Sequence, residues 1–128
     1  LIHRAMENSR YREDRIKYVE ATMQDIEDAV LEGNTEAFIE HVHEDTKNYH
    51  GAILDQGIIT FEAETIKMFR EIERMREEGV SVGCSIAGGP TPIILTTPDN
   101  RNFVLSNLDK ALGELKKDVT YMECKVVG

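Results

Sequence analysis

The residues with the clearest potential for chemistry form a turn rich in small side chains, residues 84–92, between two apolar runs. At its centre lies Gly88-Gly89-Pro90, flanked by Ser85 and Thr91. Because glycine has no Cβ, the backbone of such a turn can come close to a phosphate-bearing ligand. The pattern matches neither a Walker loop nor a dinucleotide-binding fingerprint. Spacing alone therefore leaves two interpretations open, a ligand-facing turn and an ordinary hairpin turn.

Three histidines and one aspartate are further candidates. His41 and His43 are two residues apart on a predicted helix and point in different directions, whereas His50 shares a face with His43. No acid-rich motif such as HExxH accompanies them, so we predict solvated or structural histidines and no metal site. Asp55 follows an apolar pair after the second predicted helix. Either turn chemistry or contact with a substrate explains an aspartate at that place.

Nucleophilic catalysis is disfavoured by the sequence. No GxSxG motif is present, and serine, acid and histidine do not follow the order of a hydrolase. The acids of residues 71–78 alternate with arginines, which is typical of exposed helix pairs. No pair of carboxylates stands out as a general acid and base, so we name no catalytic residue.

Apolar periodicity predicts a helical hairpin at the start of the chain. The first helix has Ser9 as its N-cap and ends at Gly33, a residue that tolerates the left-handed conformation. Its apolar stripe repeats every three or four residues: Ile16, Val19, Met23, Ile26 and Val30. Asn34 or Thr35 then caps a second helix. The short connection predicts that the two helices pack antiparallel.

Two further helices are predicted along the chain. Residues 51–60 are predicted as a loop, and the third helix runs from about Glu62 to Gly79 with four inward residues: Ile66, Phe69, Ile72 and Met75. A turn at residues 97–100 leads into the fourth helix. That helix carries its own stripe of Val104, Leu108, Ala111 and Leu115.

Three strands complete the prediction. Residues 80–87 and 93–96 are predicted to pair as a hairpin joined by the glycine turn, and residues 119–127 as a last strand. The resulting order predicts an α+β fold. In it, helices pack on one face of a small, mainly antiparallel sheet.

Size and composition restrict the class of protein. With 128 residues, 41% hydrophobic and 30% charged, the chain is predicted to be one globular domain. A net charge of −9 without a basic face argues against nucleic acid as a partner. No apolar run reaches the roughly 18 residues of a membrane span, and no secretory signal pattern is present. Cys84 and Cys124 form no CxxC pair, so we expect reduced, buried thiols in a cytoplasmic protein rather than a disulfide.

Four segments of the sequence resemble the C-terminal domain of the GHMP kinase superfamily, in particular its diphosphomevalonate decarboxylase and mevalonate kinase branch. Residues 6–15 resemble the segment entering the long helix of that branch, and residues 30–38 resemble a family helical pattern ending in phenylalanine. Residues 45–55 are similar to its Asp-Ser-Asn, His-Ala and Leu-Asp motif, with Gly51 where alanine is usual. Residues 88–90, Gly-Gly-Pro, resemble the Ala-Gly-Pro motif of that branch.

One departure from the family pattern bears on activity. In the decarboxylases an aspartate considered essential precedes Ala-Gly-Pro, and Ala87 takes its place here. Alanine can neither accept a proton nor carry charge, whereas phosphoryl transfer depends mainly on positioning and electrostatic stabilisation. The resemblance therefore implies an ATP-dependent kinase acting on mevalonate or a mevalonate phosphate. A decarboxylase in which another carboxylate such as Asp55 replaces Ala87, and a non-enzymatic helical binding module, remain as alternatives.

The resemblance also implies an incomplete enzyme. Residues 1–128 correspond to a GHMP kinase C-terminal-type, ferredoxin-like substrate domain, whose N-terminal ATP-binding partner domain would hold most of the ATP and Mg²⁺. We expect the chain alone to lack ATP-dependent activity. Its substrate-binding residues are expected to be Ala87, Gly88, Gly89, Thr91, His50 and Asp55. A homodimer is one option, since members of this family are often dimeric.

Overall fold

The computed structural model describes residues 1–86 and 91–122 of the chain. Within these ranges, five helices and two strands follow in the order α1 (Ile2–Asn8), α2 (Arg12–Leu31), α3 (Thr35–Leu54), α4 (Ala63–Glu77), β1 (Val82–Ser85), β2 (Ile93–Thr96) and α5 (Arg101–Leu112). Short 3₁₀ segments lie at Pro98–Asn100 and Gly113–Asp118. The predicted α+β class is thereby confirmed. Over the described residues, no helix combines the length and apolar character that a membrane span requires.

The α2–α3 hairpin forms as predicted. Gly33 adopts a φ of 66°, and the side-chain oxygen of Asn34 accepts a hydrogen bond from the amide of Ala37 at 3.1 Å. Near the start of α2, Arg15 Nη1 lies 2.6 Å from Asp45 Oδ1 in the second half of α3. A contact between these two ends requires that the helices run antiparallel.

The start of α2 differs from the prediction. The helix begins at Arg12 rather than after Ser9, and the unpredicted helix α1 precedes it. The Ser9 hydroxyl donates to the carbonyl of Ala52 at 2.7 Å and accepts from the amide of Tyr11 at 3.1 Å. Ser9 is therefore not the N-cap of α2. It joins the α1–α2 link to the far end of α3.

The predicted apolar stripe of α2 is also only partly buried. Ile16, Met23 and Val30 are 42%, 62% and 60% exposed. The residues of α2 that are at least partly buried lie on an adjacent face: Arg15, Tyr18, Val19, Thr22, Ile26 and Ala29. The helices that pack against α2 cover only part of the predicted stripe, so the rest of it remains on the surface.

One hydrophobic core joins α4, β1 and α5. Its buried members are Met68, Ile72, Met75, Val82, Cys84, Ile86, Val104, Leu108 and Leu112. Met68 replaces Ile66, which was predicted to face inward but is 44% exposed. On α5, Leu112 is buried while Ala111 is only half-buried. Residues 51–54, predicted as loop, continue α3.

The two strands pair antiparallel, with Val82 opposite Thr96 and Ser85 opposite Ile93. The predicted hairpin is confirmed, although β1 is shorter than expected. The third predicted strand is wrong for residues 119–122, which are not in a strand, and its remainder lies outside the described residues.

Gly83 lets β1 approach α3 closely. A Cβ at this position would lie 2.9 Å from His43 Cβ and 3.0 Å from both Ile39 Cγ2 and the Ile39 carbonyl oxygen. These distances are shorter than a carbon side chain tolerates without a shift of the helix or the strand. Glycine therefore sets the separation between β1 and the part of α3 that carries His43.

Candidate functional site

Two histidines of α3 hold the edge of β1 that leads into the glycine turn. The amide of Cys84 donates to His43 Nδ1 at 3.0 Å, and His50 Nε2 lies 2.7 Å from the carbonyl oxygen of Ile86. Because main-chain groups of residues two apart point to the same edge of a strand, both bonds lie on one edge, and β2 pairs with the other. The chain is thus fixed up to Ile86, the residue directly before Ala87.

Arg76 of α4 binds the same edge at its beginning. Its Nη1 donates to the carbonyl of Val82 at 3.2 Å, and its Nη2 lies 2.8 Å from Glu40 Oε2 and 3.1 Å from Glu44 Oε1. The Arg76 side chain is only 13% exposed. The prediction of exposed helix pairs holds for Arg74 with Glu78, which are both exposed, but is wrong for Arg76.

The hydrogen bonds of His43 define its protonation state. Its Nδ1 accepts from a main-chain N–H, so the imidazole carries its proton on Nε2, which donates to Glu73 Oε1 at 2.8 Å. The side chain is fully buried and stacks on Phe69 with ring centroids 5.2 Å apart. Burial lowers the pKa of His43 below its ordinary value, against the opposing effect of the Glu73 hydrogen bond. His43 is therefore neutral at physiological pH.

Glu73 connects this histidine to a lysine at the surface. Lys47 Nζ lies 3.2 Å from the same Glu73 oxygen that accepts from His43. Burial alone would raise the pKa of Glu73, but the hydrogen bonds from His43 and Lys47 outweigh it and lower that pKa. The result is a Lys47–Glu73–His43 chain that runs from solvent to the main chain of β1.

A cavity of about 340 Å³ lies beside this chain. It is formed by the second half of α3, the segment before α4 and α4 itself. Its lining residues are Thr46, Lys47, His50, Gly51, Leu54, Ile58, Ile59, Thr60, Phe61 and Phe69. A larger, more open depression of about 620 Å³ lies near α1, lined by residues 1–3 and 57–60. We place the candidate site at the smaller cavity, because His50 lines it and also holds the start of the glycine turn.

The structure brings together only some of the predicted site residues. His50 lines the cavity, with its ring 4.9 Å from that of Phe61. Thr91 is exposed. The predicted positions Ala87, Gly88 and Gly89 lie outside the described residues.

Asp55 is engaged elsewhere, at the end of α3. Its Oδ1 lies 2.6 Å from Arg10 Nη2, and its Oδ2 accepts from the Arg10 amide at 2.8 Å. These bonds, led by the Arg10 side chain, lower the pKa of Asp55 to about 2. The structure does not bring Asp55 to the cavity that His50 lines, and it gives the carboxylate a role in joining the α1–α2 link to α3.

Sequence reasoning missed the Lys47–Glu73–His43 chain and the inward Arg76. The seven-residue interval between His43 and His50 was a usable signal, since it places both side chains on one helix face. The free thiol of Cys84 belongs to the hydrophobic core, and burial raises its pKa to about 12. A thiol with that pKa is not a nucleophile at neutral pH.

In the described part of the chain, binding of a metal ion would require a cluster of ligating side chains. Residues 1–86 and 91–122 contain no group of three histidine, cysteine or carboxylate side chains arranged to hold a metal ion.

This arrangement is an α+β fold that the chain shares with a class of solved enzyme structures, at 15–16% sequence identity. The particular proteins it resembles are mevalonate diphosphate decarboxylases. The enzyme from Staphylococcus aureus matches with a TM-score of 0.71 and 16% identity, over 80% of this chain and 31% of its own. The mevalonate diphosphate decarboxylase from Enterococcus faecalis matches with a TM-score of 0.75 and 15% identity, over 84% of this chain and 34% of its own.

A third structure, of a protein designated MDDEF in complex with MVAPP, AMPPCP and magnesium, matches with a TM-score of 0.74 and 16% identity, over 84% of this chain and 33% of its own. The chain thus spans about a third of the length of the proteins it matches. No protein-family model matches the chain, and no curated protein sequence matches it. The resemblance indicated by the sequence is confirmed at the level of the fold.

Proposed function

We propose that this chain is the substrate-side domain of an ATP-dependent small-molecule kinase that acts on mevalonate or a mevalonate phosphate. The observation that carries the proposal is the combination of a mevalonate diphosphate decarboxylase fold with alanine at position 87. By the sequence resemblance, the decarboxylases need an aspartate there. Its replacement removes a proton acceptor while leaving a small-residue turn that admits a phosphate group.

Within this proposal the described residues position the turn rather than react. His50 holds the Ile86 carbonyl, and His43 holds the Cys84 amide, so the strand enters the turn from a fixed direction. We expect Gly88 and Gly89, which lack a Cβ, to let the backbone approach the substrate phosphate. ATP and Mg²⁺ would be bound mainly by a second domain of the complete enzyme. The buried free thiol of Cys84 supports a cytoplasmic location.

Two other functions retain specific support. The solved structures that the chain resembles are decarboxylases, which favours decarboxylation with a carboxylate from elsewhere in the enzyme. The exposed apolar residues Ile16, Met23 and Val30 favour a binding module that uses α2. A module of that kind would show neither activity.

Product analysis on the full-length protein distinguishes these functions. The protein is incubated with ATP, Mg²⁺ and mevalonate or its phosphates, phosphorylated products are followed by ³¹P NMR, and carbon dioxide is measured. We expect a phosphorylated product without carbon dioxide. Stoichiometric carbon dioxide release would refute the kinase, and no turnover of any substrate would favour the binding module.

The variant Ala87→Asp tests the position itself. It restores the carboxylate where the resemblance places it, so we expect measurable carbon dioxide release from a substrate that carries the appropriate phosphate. The matched control is Asn102→Asp, which adds the same charge at an exposed position outside the turn. Equal behaviour of the two variants would contradict the assignment of position 87.

A further inference from the structure

Three apolar side chains of α2 form a line on the surface of the protein. Ile16, Met23 and Val30 are 42%, 62% and 60% exposed, whereas α2 packs on α3 through an adjacent face. They recur every seven residues, an interval that keeps side chains close to one line along an α-helix. The line runs for about 21 Å along the helix axis. An apolar line of this length suits a second helix that lies along it.

Charges are distributed unevenly along the same helix. Residues 12–19 carry three cations and two acids, a net charge of +1. Residues 20–31 carry four acids and no cation, a net charge of −4: Glu20, Asp25, Glu27 and Asp28. The last turn contains no basic residue, although the negative end of the helix dipole favours one there. The second half of α2 therefore lacks the cations that the first half of an antiparallel copy would supply.

Arg12 and Glu27 are charged residues that lie beside the apolar line. Arg12 is four residues before Ile16, and so shares its helix face. Glu27 is four residues after Met23, and shares the face of that residue in the same way. Both charged side chains are exposed, and neither has a hydrogen-bond or ion-pair partner in the described part of the chain. They are therefore free to form ion pairs across an interface.

We propose that two copies of this chain associate through α2, with their α2 helices antiparallel. One register places Ile16 opposite Met23 of the second copy. Because the two pairs share a midpoint along the helix, the same register places Arg12 opposite Glu27 of the second copy. Two-fold symmetry repeats each contact, which gives two apolar pairs and two ion pairs. This contact uses no residue of the cavity or the glycine turn, so it does not depend on the proposed kinase activity.

The register also contains an unfavourable contact. Residues 19 and 20 lie at its midpoint, so the Glu20 side chains of the two copies lie close to the two-fold axis. Like charges placed in this way repel and reduce the affinity. A single helix from each copy also buries less surface than the roughly 1,200 Å² of stable complexes. We therefore expect a weak dimer, with a dissociation constant of about 0.1 mM.

Sedimentation equilibrium of the full-length protein measures this association. We expect mainly monomer at about 10 µM and mainly dimer at about 1 mM. Methyl NMR of protein labelled at isoleucine, methionine and valine locates the contact. The methyl signals of Ile16, Met23 and Val30 should shift as the concentration rises, whereas that of the fully buried Ile72 should not.

Charge reversal tests the ion pairs. Arg12→Glu or Glu27→Arg alone replaces two attractions with two repulsions, so we expect the dissociation constant to rise about tenfold. The double variant restores opposite charges in exchanged positions, and its dissociation constant should lie within about twofold of the wild-type value. Asp25→Arg is the matched control for Glu27→Arg, because it makes the same charge change at an exposed position on another face of α2. Glu20→Gln removes the repulsion at the two-fold axis and should tighten the dimer about twofold.

Each outcome decides the proposal. A protein that remains monomeric at about 1 mM, whether or not another domain covers α2, would overturn it. A dimer in which the methyl signals of Ile16, Met23 and Val30 do not shift would place the contact elsewhere and overturn it as well. A double variant that binds no tighter than the single ones, or a control as weak as Glu27→Arg, would overturn the antiparallel pairing. Unchanged or weaker association of Glu20→Gln would overturn the register. Circular dichroism verifies that each variant keeps its helices.

Discussion

Replacement of His43 by leucine tests whether the buried imidazole holds β1 against α3. Leucine fills much of the volume but offers no acceptor, so the buried amide of Cys84 loses its partner. An unsatisfied buried N–H costs about 1–3 kcal/mol. Glu73 loses one of its two bonds but keeps Lys47 and partial solvent access, which adds about 0.5–1 kcal/mol. The expected loss in the free energy of unfolding is about 1.5–4 kcal/mol.

Urea unfolding at pH 7.5, followed by circular dichroism, measures this loss. His41→Leu is the matched control, since it makes the same substitution two residues away on the same helix, at a position that is not fully buried. We expect the control to change the free energy of unfolding by about 0.5 kcal/mol or less. A similar loss in both variants would show that leucine itself, and not the missing acceptor, destabilises α3.

The pH dependence of the loss provides a second measurement. The folded protein lowers the pKa of His43 below its value of 6.5 in the unfolded chain. Between these two pKa values the unfolded chain binds more protons, so wild-type stability falls as the pH drops below 6.5. The leucine variant lacks this effect, and the difference between the two proteins should shrink by up to about 1.4 kcal/mol per pH unit in that interval.

If the difference in free energy of unfolding between wild type and the leucine variant stays constant from pH 7.5 to pH 5, this reasoning is refuted. It would mean that His43 titrates alike in the folded and unfolded chains. The neutral Nε2–H form would then not be what holds the Cys84 amide. Direct ¹⁵N NMR of the imidazole in wild type checks the same point, because an unprotonated Nδ1 has a distinct chemical shift.

Two further substitutions test other contacts of the fold. Gly83→Ala places a Cβ 2.9 Å from His43 Cβ, so we expect the free energy of unfolding in urea to fall by about 1–3 kcal/mol. The control Gly51→Ala places its Cβ in open space and should stabilise α3 by about 0.5–1 kcal/mol. Equal effects of the two variants would contradict the close approach of β1 to α3. Asp55→Asn removes the Arg10 ion pair. Since the pKa of Asp55 is about 2 in the fold against 3.8 unperturbed, wild type should lose stability as the pH falls from about 4 to about 2, and the variant should lose less. Identical acid-unfolding curves would refute the assignment.

The helices were predictable from sequence because their signals are local. The φ of Gly33, the Asn34 cap and the hairpin between α2 and α3 all follow from a few neighbouring residues. Which apolar residues are buried was less predictable. Periodicity shows that Ile16 and Met23 share a stripe, but it does not show how much of that stripe the partner helix covers.

The site depends on contacts that single-residue patterns do not contain. His50 bonds the carbonyl of Ile86, 36 residues away, and a main-chain acceptor leaves no mark in the sequence. Glu73 and Arg76 appeared as members of an exposed charge run because their inward partners, His43 and Val82, belong to other elements. The interval between His43 and His50 predicts that both side chains share one face of α3, but it does not predict that this face packs against β1.

The way in which Arg76, His43 and His50 cover one margin of β1 has a consequence for self-association. An uncovered strand margin is a template on which a foreign strand can add, and repeated addition leads to fibrils. Here three side chains occupy hydrogen-bonding groups that an incoming strand would need. The small sheet is therefore protected against growth from that side by residues that also fix its approach to the glycine turn.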